Sequence, residues 1–246
     1  SYMTPSGFLL INKPAGWTSF DVVAKLRGIT CVKTIGHAGT LDPFATGLLI
    51  VAVGREATRQ LDRFAKLDKT YRATFTLGST STTQDPEGEI TATVKDAVAS
   101  PSLPKGRGRN DDMNILPSQK TIERVIGEHF IGTINQIPPM HSAIKIGGKK
   151  LYELARQGKE VDRPARQVTI NRFDIVAYNP PHLETEIDVS SGTYIRAIAR
   201  DLGESLGCGA YCSALRRTRI GEHSIDHAIT LDILTPENWS SFLLEF

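Results

Sequence analysis

The sequence predicts an α+β fold, and three observations point there. Strand-like and helical segments alternate irregularly along the chain. Several strand-like segments follow one another with no crossover helix between them, which argues against a doubly wound parallel sheet. No internal repeat or long low-complexity tract is present, and 246 residues are enough to bury a full core as one large domain or two small ones.

Taken in order, Phe8–Lys13 reads as the first strand. Thr18 is placed as the N-cap of a helix running through Leu26, with Asp21 in its first turn. Leu48–Val53 is a continuous apolar run, the pattern of a buried strand. Ala57–Leu67 has helical spacing. Thr70–Leu77 alternates, so Tyr71, Ala73, Phe75 and Leu77 share one face. Ser79–Gly88 is a polar turn region, and Ile90–Val94 is a short strand. Ala97–Pro117 is rich in Pro, Gly, Ser and charge and reads as a mobile loop. Ser118 caps a helix to about Phe130. Ile144–Ile146, Gly147-Gly148 and Lys149–Gln157 read as strand, turn and helix. Arg166–Ala177 and Leu183–Val189 form a pair of strands. Ser191-Gly192-Thr193 opens a helix to about Leu206, Tyr211–Ile220 is a strand, and a last short helix is placed in Pro236–Leu244.

Hydrophobic content of 40% and charged content of 23% are those of a soluble globular protein. No apolar run reaches the roughly 18–20 residues that span a membrane. Phe8-Leu9-Leu10-Ile11 is too short for a signal peptide and is followed at once by Asn12-Lys13-Pro14. Cys31, Cys208 and Cys212 are an odd, sparse set, which points to reduced thiols and a cytoplasmic location. The net charge of +2 is unevenly spread: +5 over residues 1–80, −2 over 81–144, +4 over 145–219 and −5 from 220 onward. That pattern suits a polyanionic partner over part of the surface, although ordinary solvated charge gives the same balance.

One carboxylate stands in a constrained segment, Gly36-His37-Ala38-Gly39-Thr40-Leu41-Asp42-Pro43-Phe44-Ala45-Thr46-Gly47. Pro43 fixes its own φ and pushes Asp42 out of the right-handed helical region, and the three glycines allow close approaches that a Cβ would block. An acid held on a stiff loop beside a buried strand is a candidate nucleophile or general base. The plain alternative is an Asp-Pro turn opening. Three more segments are candidates for the same site. Lys69-Thr70-Tyr71-Arg72 puts a tyrosine between cations, suited to stacking on a base while the cations meet phosphate; the alternative is a core tyrosine. In Ser190-Ser191-Gly192-Thr193-Tyr194-Ile195-Arg196, with Arg200 and Asp201 after it, Arg196 and Arg200 share a helix face near the N-terminus, where the helix dipole disfavours them. Pairing Arg196 with a buried acid offsets that cost; the alternative is a salt bridge within the helix. Leu215-Arg216-Arg217-Thr218-Arg219 is a basic cluster suited to a phosphate backbone. Cys208, Cys212, His223 and His227 mimic a shortened Cys₂His₂ zinc site, but a strand-like stretch fills the gap between the pairs, and no metal is assigned. Gly147-Gly148-Lys149 lacks the rest of a phosphate-binding loop, so no nucleotide cofactor is expected.

The Gly36–Gly47 segment closely resembles the signature of the TruB-type tRNA pseudouridine synthases. Ile11-Asn12-Lys13-Pro14-Ala15-Gly16 resembles that family's opening, and Lys69-Thr70-Tyr71 its Lys-x-Tyr motif. Gln136-Ile137-Pro138-Pro139-Met140-His141-Ser142-Ala143-Ile144-Lys145 and Gly148-Lys149-Lys150-Leu151-Tyr152-Glu153-Leu154-Ala155-Arg156 resemble its mid-chain block. Ser191–Arg196 with Asp201-Leu202-Gly203 fits a later motif, and Leu215-Arg216-Arg217-Thr218 the last. The matches keep the family's order from about residue 8 to 220.

The resemblance implies the pseudouridine synthase fold: a large mixed, mostly antiparallel sheet flanked by helices, with a catalytic cleft and an inserted thumb-like segment. It implies a catalytic domain over residues 3–233, with a mobile loop at about 97–117 and an insertion at about 118–160. Residues 234–246 are then a short tail, too few for the family's C-terminal RNA-binding PUA domain. The implied reaction isomerises uridine 55 in the T loop of tRNA by base flipping, without a cofactor. Asp42 resembles the catalytic aspartate, Tyr71 the tyrosine stacked on the target base, and Arg196 the arginine paired with the aspartate. His37 resembles the histidine that enters the T loop. Lys13, Pro14, Lys69, Leu215 and Arg216 match further substrate-binding positions. Ala38, Thr82 and His141 depart from the family's usual Thr, Asp and Tyr. The expected partner of a monomeric chain is the T stem-loop. The alternatives left open are a catalytically silent RNA-binding or tRNA-folding protein of the same fold, and a zinc-dependent nucleic-acid binder.

Overall fold

A computed structural model describes residues 4–94 and 115–245. Residues 97–114 of the loop expected to be mobile lie outside the described residues. The chain forms two compact units, Ser1–Arg72 with Leu215–Phe246, and Ala73–Ala214. Its strands include a nine-stranded mixed sheet.

The first unit starts with β1 (Gly7–Lys13) and α1 (Ser19–Thr30). Thr18 and Asp21 form a reciprocal capping box: each side chain accepts the other's backbone N–H, at 2.9 and 2.8 Å. That satisfies two donors the helix would otherwise leave open. The glycine-rich segment begins as a strand, β2 (Ile35–Ala38), and runs into β3 (Thr46–Val53). β1 and β2 both pair antiparallel with β3. Strand alternation divides the core in two. Leu9 and Ile11 of β1 with Leu49, Val51 and Val53 of β3 pack against Val22, Val23 and Leu26 of α1. Phe8 and Leu10 with Leu48, Ile50 and Ala52 pack on the other side against Ala57 and Phe64. The helix expected over 57–67 is two short ones, α2 (Arg55–Thr58) and α3 (Leu61–Ala65). Between them Gln60 N–H donates to Ala57 O and Arg63 N–H to Gln60 O, the three-residue spacing of a tightened turn. β4 (Lys69–Leu77) leads from the first unit into the second.

The second unit holds the hairpin of β5 (Ser79–Ser81) and β6 (Ile90–Ala92), then α4 (Gln119–His129), capped by Ser118 as expected. β7 (Gly132–Gln136) follows. The hairpin β8 (Lys145–Ile146) and β9 (Lys149–Lys150) turns at Gly147-Gly148 and leads into α5 (Leu151–Arg156). β10 (Arg166–Asn179) pairs antiparallel with both β7 and β11 (His182–Val189). α6 (Ile195–Leu206) precedes β12 (Ala210–Ile220), which carries the chain back into the first unit.

There β12 pairs parallel with β3 through Arg216↔Thr46 and Arg217↔Gly47, and antiparallel with β13 (His223–Ser224). The segment after 233, expected as a tail, completes the α1 side of the core with Leu234 and Trp239, and Leu244 bonds both ways with Phe8. Its expected helix is a 3₁₀ turn, Trp239–Phe242. Among the described residues no helix is long and apolar enough to cross a membrane.

Candidate active site

Asp42 lies in the first unit, half-buried, at the start of a β-turn. Ala45 N–H donates to Asp42 O at 3.0 Å, with Pro43 in the position whose fixed φ suits such a turn. The plain turn reading and the functional reading therefore describe the same residue. What distinguishes this turn is how many groups hold it. Ser19 Oγ accepts the Leu41 N–H at 3.0 Å and donates to Leu41 O at 3.3 Å. Gly16 N–H donates to Pro43 O at 2.8 Å. The Lys13 ammonium, fully buried, donates to the carbonyls of Trp17 at 2.5 Å, Pro14 at 2.9 Å and Pro43 at 3.4 Å. Arg217, 1% exposed, donates from Nη2 to Gly39 O at 2.8 Å and from Nε to Leu48 O at 2.9 Å. The backbone is thus held on both sides of Asp42.

Two glycines make that arrangement possible. Gly47 has φ +107°, and a Cβ there would lie 2.3 Å from Arg217 O. Gly39 has φ +73°, and a Cβ would stand 3.4 Å from the Arg217 guanidinium. The close parallel pairing of β3 with β12 therefore requires glycine at 47.

Strand alternation divides the two basic segments between inside and outside. In β12, Leu215 and Arg217 point inward, whereas Arg216 and Arg219 are exposed. Only the latter two of that cluster reach the surface; Arg217 braces the loop. In β4, Lys69 and Tyr71 are both buried, at 7% and 8% exposure, and Arg72 is exposed. Lys69 Nζ donates to Ala65 O at 2.6 Å. Burial, reinforced by repulsion from Arg217 and opposed by Asp68, pushes the Lys69 ammonium down to about 8. His37 lies opposite Val51 in the β2–β3 ladder. Its burial, and then the charge of Arg217, hold the imidazole below its usual value, and its Nδ1 is enclosed without a hydrogen-bond partner. Pro14 contributes its carbonyl to Lys13 and is itself exposed.

Arg196 lies in the second unit, 3% exposed, in the first turn of α6. Its guanidinium donates to His141 O at 2.7 Å and Thr83 O at 3.1 Å, and faces the Asp85 carboxylate at 3.9 Å. Asp85 is itself 4% exposed; it accepts from Glu87 N–H at 2.9 Å and from the Thr83 hydroxyl. The expectation that Arg196 meets a buried acid thus finds one in Asp85. Arg200 makes the salt bridge inside the helix, with Asp201 at 2.9 Å.

Sequence reasoning missed Asp85, Arg217 as a brace, and Ser19. Asp85-Pro86 repeats the Asp-Pro dipeptide of the first site, and Arg217 is two residues from apolar Leu215; both signals were available. Two departures from the family pattern have local explanations. Ala38 is 3% exposed in the core, and the Thr82 hydroxyl closes its turn by accepting Glu89 N–H at 2.9 Å. At the third, His141, the backbone carbonyl makes the contact with Arg196, so the bond does not depend on the side chain. Among the described residues, no group of three or more His, Cys, Asp or Glu is placed to hold a metal ion.

Two family descriptions match the chain: "TruB family pseudouridylate synthase (N terminal domain)" over residues 27–195, and "tRNA pseudouridylate synthase B C-terminal domain" over 196–241. Three similar proteins are named tRNA pseudouridine synthase B. The one from Bifidobacterium longum subsp. infantis is 44% identical, covering 91% of this chain and 65% of the relative. That from Mycobacterium tuberculosis is 43% identical, covering 94% and 72%. That from Syntrophotalea carbinolica is 40% identical, covering 97% and 72%. The chain thus spans roughly two thirds of these relatives' lengths. A solved Cbf5-Nop10-Gar1 complex contains a chain of similar fold, with TM-score 0.64 and 28% identity over 92% of this chain and 52% of that one. An H/ACA RNP bound to a substrate RNA containing 2'-deoxyuridine gives TM-score 0.61 and 25% identity, over 92% and 51%.

Proposed function

The chain belongs to the TruB family of pseudouridylate synthases, and on that premise we propose that it converts uridine 55 in the T loop of tRNA to pseudouridine. The observation that carries the proposal is the braced turn at Asp42: a single carboxylate on a backbone held by Ser19, Lys13, Gly16 and Arg217.

The reaction breaks the N1–C1′ glycosidic bond, turns the uracil, and joins C5 to C1′. The hydrogen on C5 is lost and N1 gains one, so atoms and electrons balance without a cofactor. The target base has to leave the stack first, which costs a few kcal/mol. Tyr71 offsets part of that by stacking on the flipped base, about 1–3 kcal/mol. Asp42 acts as the carboxylate, by attack on C1′, by attack on C6, or as a base toward the sugar. Arg196 has the family role of favouring the charged aspartate, and Asp85 and the His141 carbonyl fix the direction of its guanidinium. His37, held toward its neutral form, enters the T loop without a cation to solvate. Leu215, buried on β12, takes the family's substrate-lining role, and the exposed Arg216 and Arg219 meet phosphates of the T stem-loop.

The test is Asp42→Asn assayed with tRNA tritiated at uracil C5. Wild type releases tritium. The variant is expected to lose release by at least about a thousandfold while its tRNA Kd stays within about threefold. Release at a tenth of the wild-type rate would refute the assignment. Binding without turnover by the wild type would favour a silent RNA-binding protein instead.

A further inference from the structure

Helix α6 presents Arg196, yet little in its own sequence stabilises its start. Its N-cap, Tyr194, makes no side-chain capping bond, and the first turn contains no acid. Arg196 in that turn opposes the helix dipole. The start is held instead from another strand. Gln136, the last residue of β7, is 2% exposed. Its amide pairs with both backbone groups of Tyr194: Tyr194 N–H donates to Oε1 at 2.9 Å, and Nε2 donates to Tyr194 O at 3.2 Å. That same carbonyl accepts the helical N–H groups of Ala197 at 3.1 Å and Ile198 at 3.2 Å. Residues following Gln136 continue the grip. Ile137 O accepts from Arg200 Nη2 at 2.7 Å, and His141 O accepts from Arg196 Nη2 at 2.7 Å. One strap, residues 136–141, therefore fixes the helix backbone two residues before Arg196 and also the head of Arg196.

We propose that Gln136 is a positioning residue for Arg196: its two-point amide pair sets the origin of α6 and so aims the guanidinium in the pseudouridine-forming step. The inference rests on the function proposed above. Gln136 touches neither substrate nor reacting atoms; it acts through the Tyr194 peptide. An amide is suited to this because it offers one acceptor and one donor side by side. A carboxylate at the same place accepts from Tyr194 N–H but presents a second acceptor to Tyr194 O. A protonated carboxyl restores the donor.

That difference supplies a readout that a merely structural role would not move. Gln136→Glu and Gln136→Leu are compared with wild type in full-length chain on tRNA, over pH 5.5–8.5. Both variants are expected to lower kcat about 10- to 100-fold near pH 8 while KM stays within about threefold, the pattern of a misaimed group. For Gln136→Glu, the ratio of variant to wild-type kcat should climb severalfold toward pH 5.5, because burial at a position 2% exposed raises the introduced carboxyl by more than Arg196 and Arg200, each already bonded to a backbone carbonyl, lower it. For Gln136→Leu the ratio should stay flat. Charged or titratable groups near position 136 are Arg166 across the β7–β10 ladder, Arg196, Arg200 and Asp201 on α6, His141 on the strap, and Arg163, which donates to Pro138 O; their own titration is common to all three proteins and cancels in the ratio, whereas their field acts on the introduced carboxyl alone. Should Gln136→Leu fail to fold, the isosteric Gln136→Glu still decides the matter. An unchanged kcat, or a Gln136→Glu ratio that does not vary with pH, would overturn the inference. Absence of turnover by the wild type would refute the underlying function instead, before any variant is compared.

Discussion

Replacing Lys69 with methionine should change how stability depends on pH, and the size of the change follows from the site. Lys69 is 7% exposed, and its ammonium is pushed down from 10.5 to about 8 because burial and the neighbouring Arg217 disfavour the charge. Between those two values the unfolded chain holds a proton that the folded chain has released. Raising the pH through that window therefore favours the folded state, and at neutral pH the folded protein bears the cost of a buried charge. The shift of 10.5 to about 8 corresponds to about 3 kcal/mol at 1.36 kcal/mol per unit. Lys69→Met removes that cost and loses the bond from Nζ to Ala65 O, worth about 1 kcal/mol net. The variant should be about 2 kcal/mol more stable than wild type at pH 7 and about 1 kcal/mol less stable at pH 10.5. Urea denaturation of both proteins at the two pH values measures this, and other titrating groups cancel in the difference. A wild-type-minus-variant gap that is the same at both pH values would show that Lys69 titrates normally and that its burial carries no electrostatic cost.

Asp85→Asn leaves Arg196 facing a neutral amide in a site where both side chains are almost fully buried. Because two carbonyl bonds to Arg196 remain and the separation is 3.9 Å, the loss should lie at the low end for buried pairs, about 2–3 kcal/mol in urea denaturation, with a fall in kcat larger than any change in tRNA Kd. Gly47→Ala forces a Cβ to within 2.3 Å of Arg217 O at a φ of +107°, so it should destabilise by at least about 3 kcal/mol; an alanine variant with an unshifted melting temperature would contradict the close β3–β12 pairing.

Much of the local structure could be read from the order of residues, for specific reasons. The Thr18/Asp21 capping box and the Ser118 cap are short-range bonds whose donors and acceptors lie within three residues. The alternation of β4 already placed Tyr71, Ala73, Phe75 and Leu77 on one buried face. The Asp42-Pro43 turn is encoded by proline geometry. Other elements were less legible. β7, Gly-Thr-Ile-Asn-Gln, has one large apolar residue in five and no pattern to mark it. β2 lies inside a glycine-rich stretch that reads as loop.

By itself, then, the sequence determined the α+β class, most strands and helices, the family, and Asp42 as the candidate carboxylate. These depend on periodicity, caps and motif order, which are local properties of the chain. Only the tertiary structure decided which groups hold the turn that carries Asp42 and, separately, which hold Arg196. Arg217 meets Gly39 O from 178 residues away, Ser19 meets Leu41 from 22, Arg196 meets Thr83 O from 113, and Gln136 meets Tyr194 from 58. Alternation says which face of a strand a side chain takes, but not which strand lies beside it. That neighbour is set by the order and register of the sheet. It turned Arg217, one of three arginines in a basic cluster, from an expected phosphate contact into the brace of the Asp42 turn.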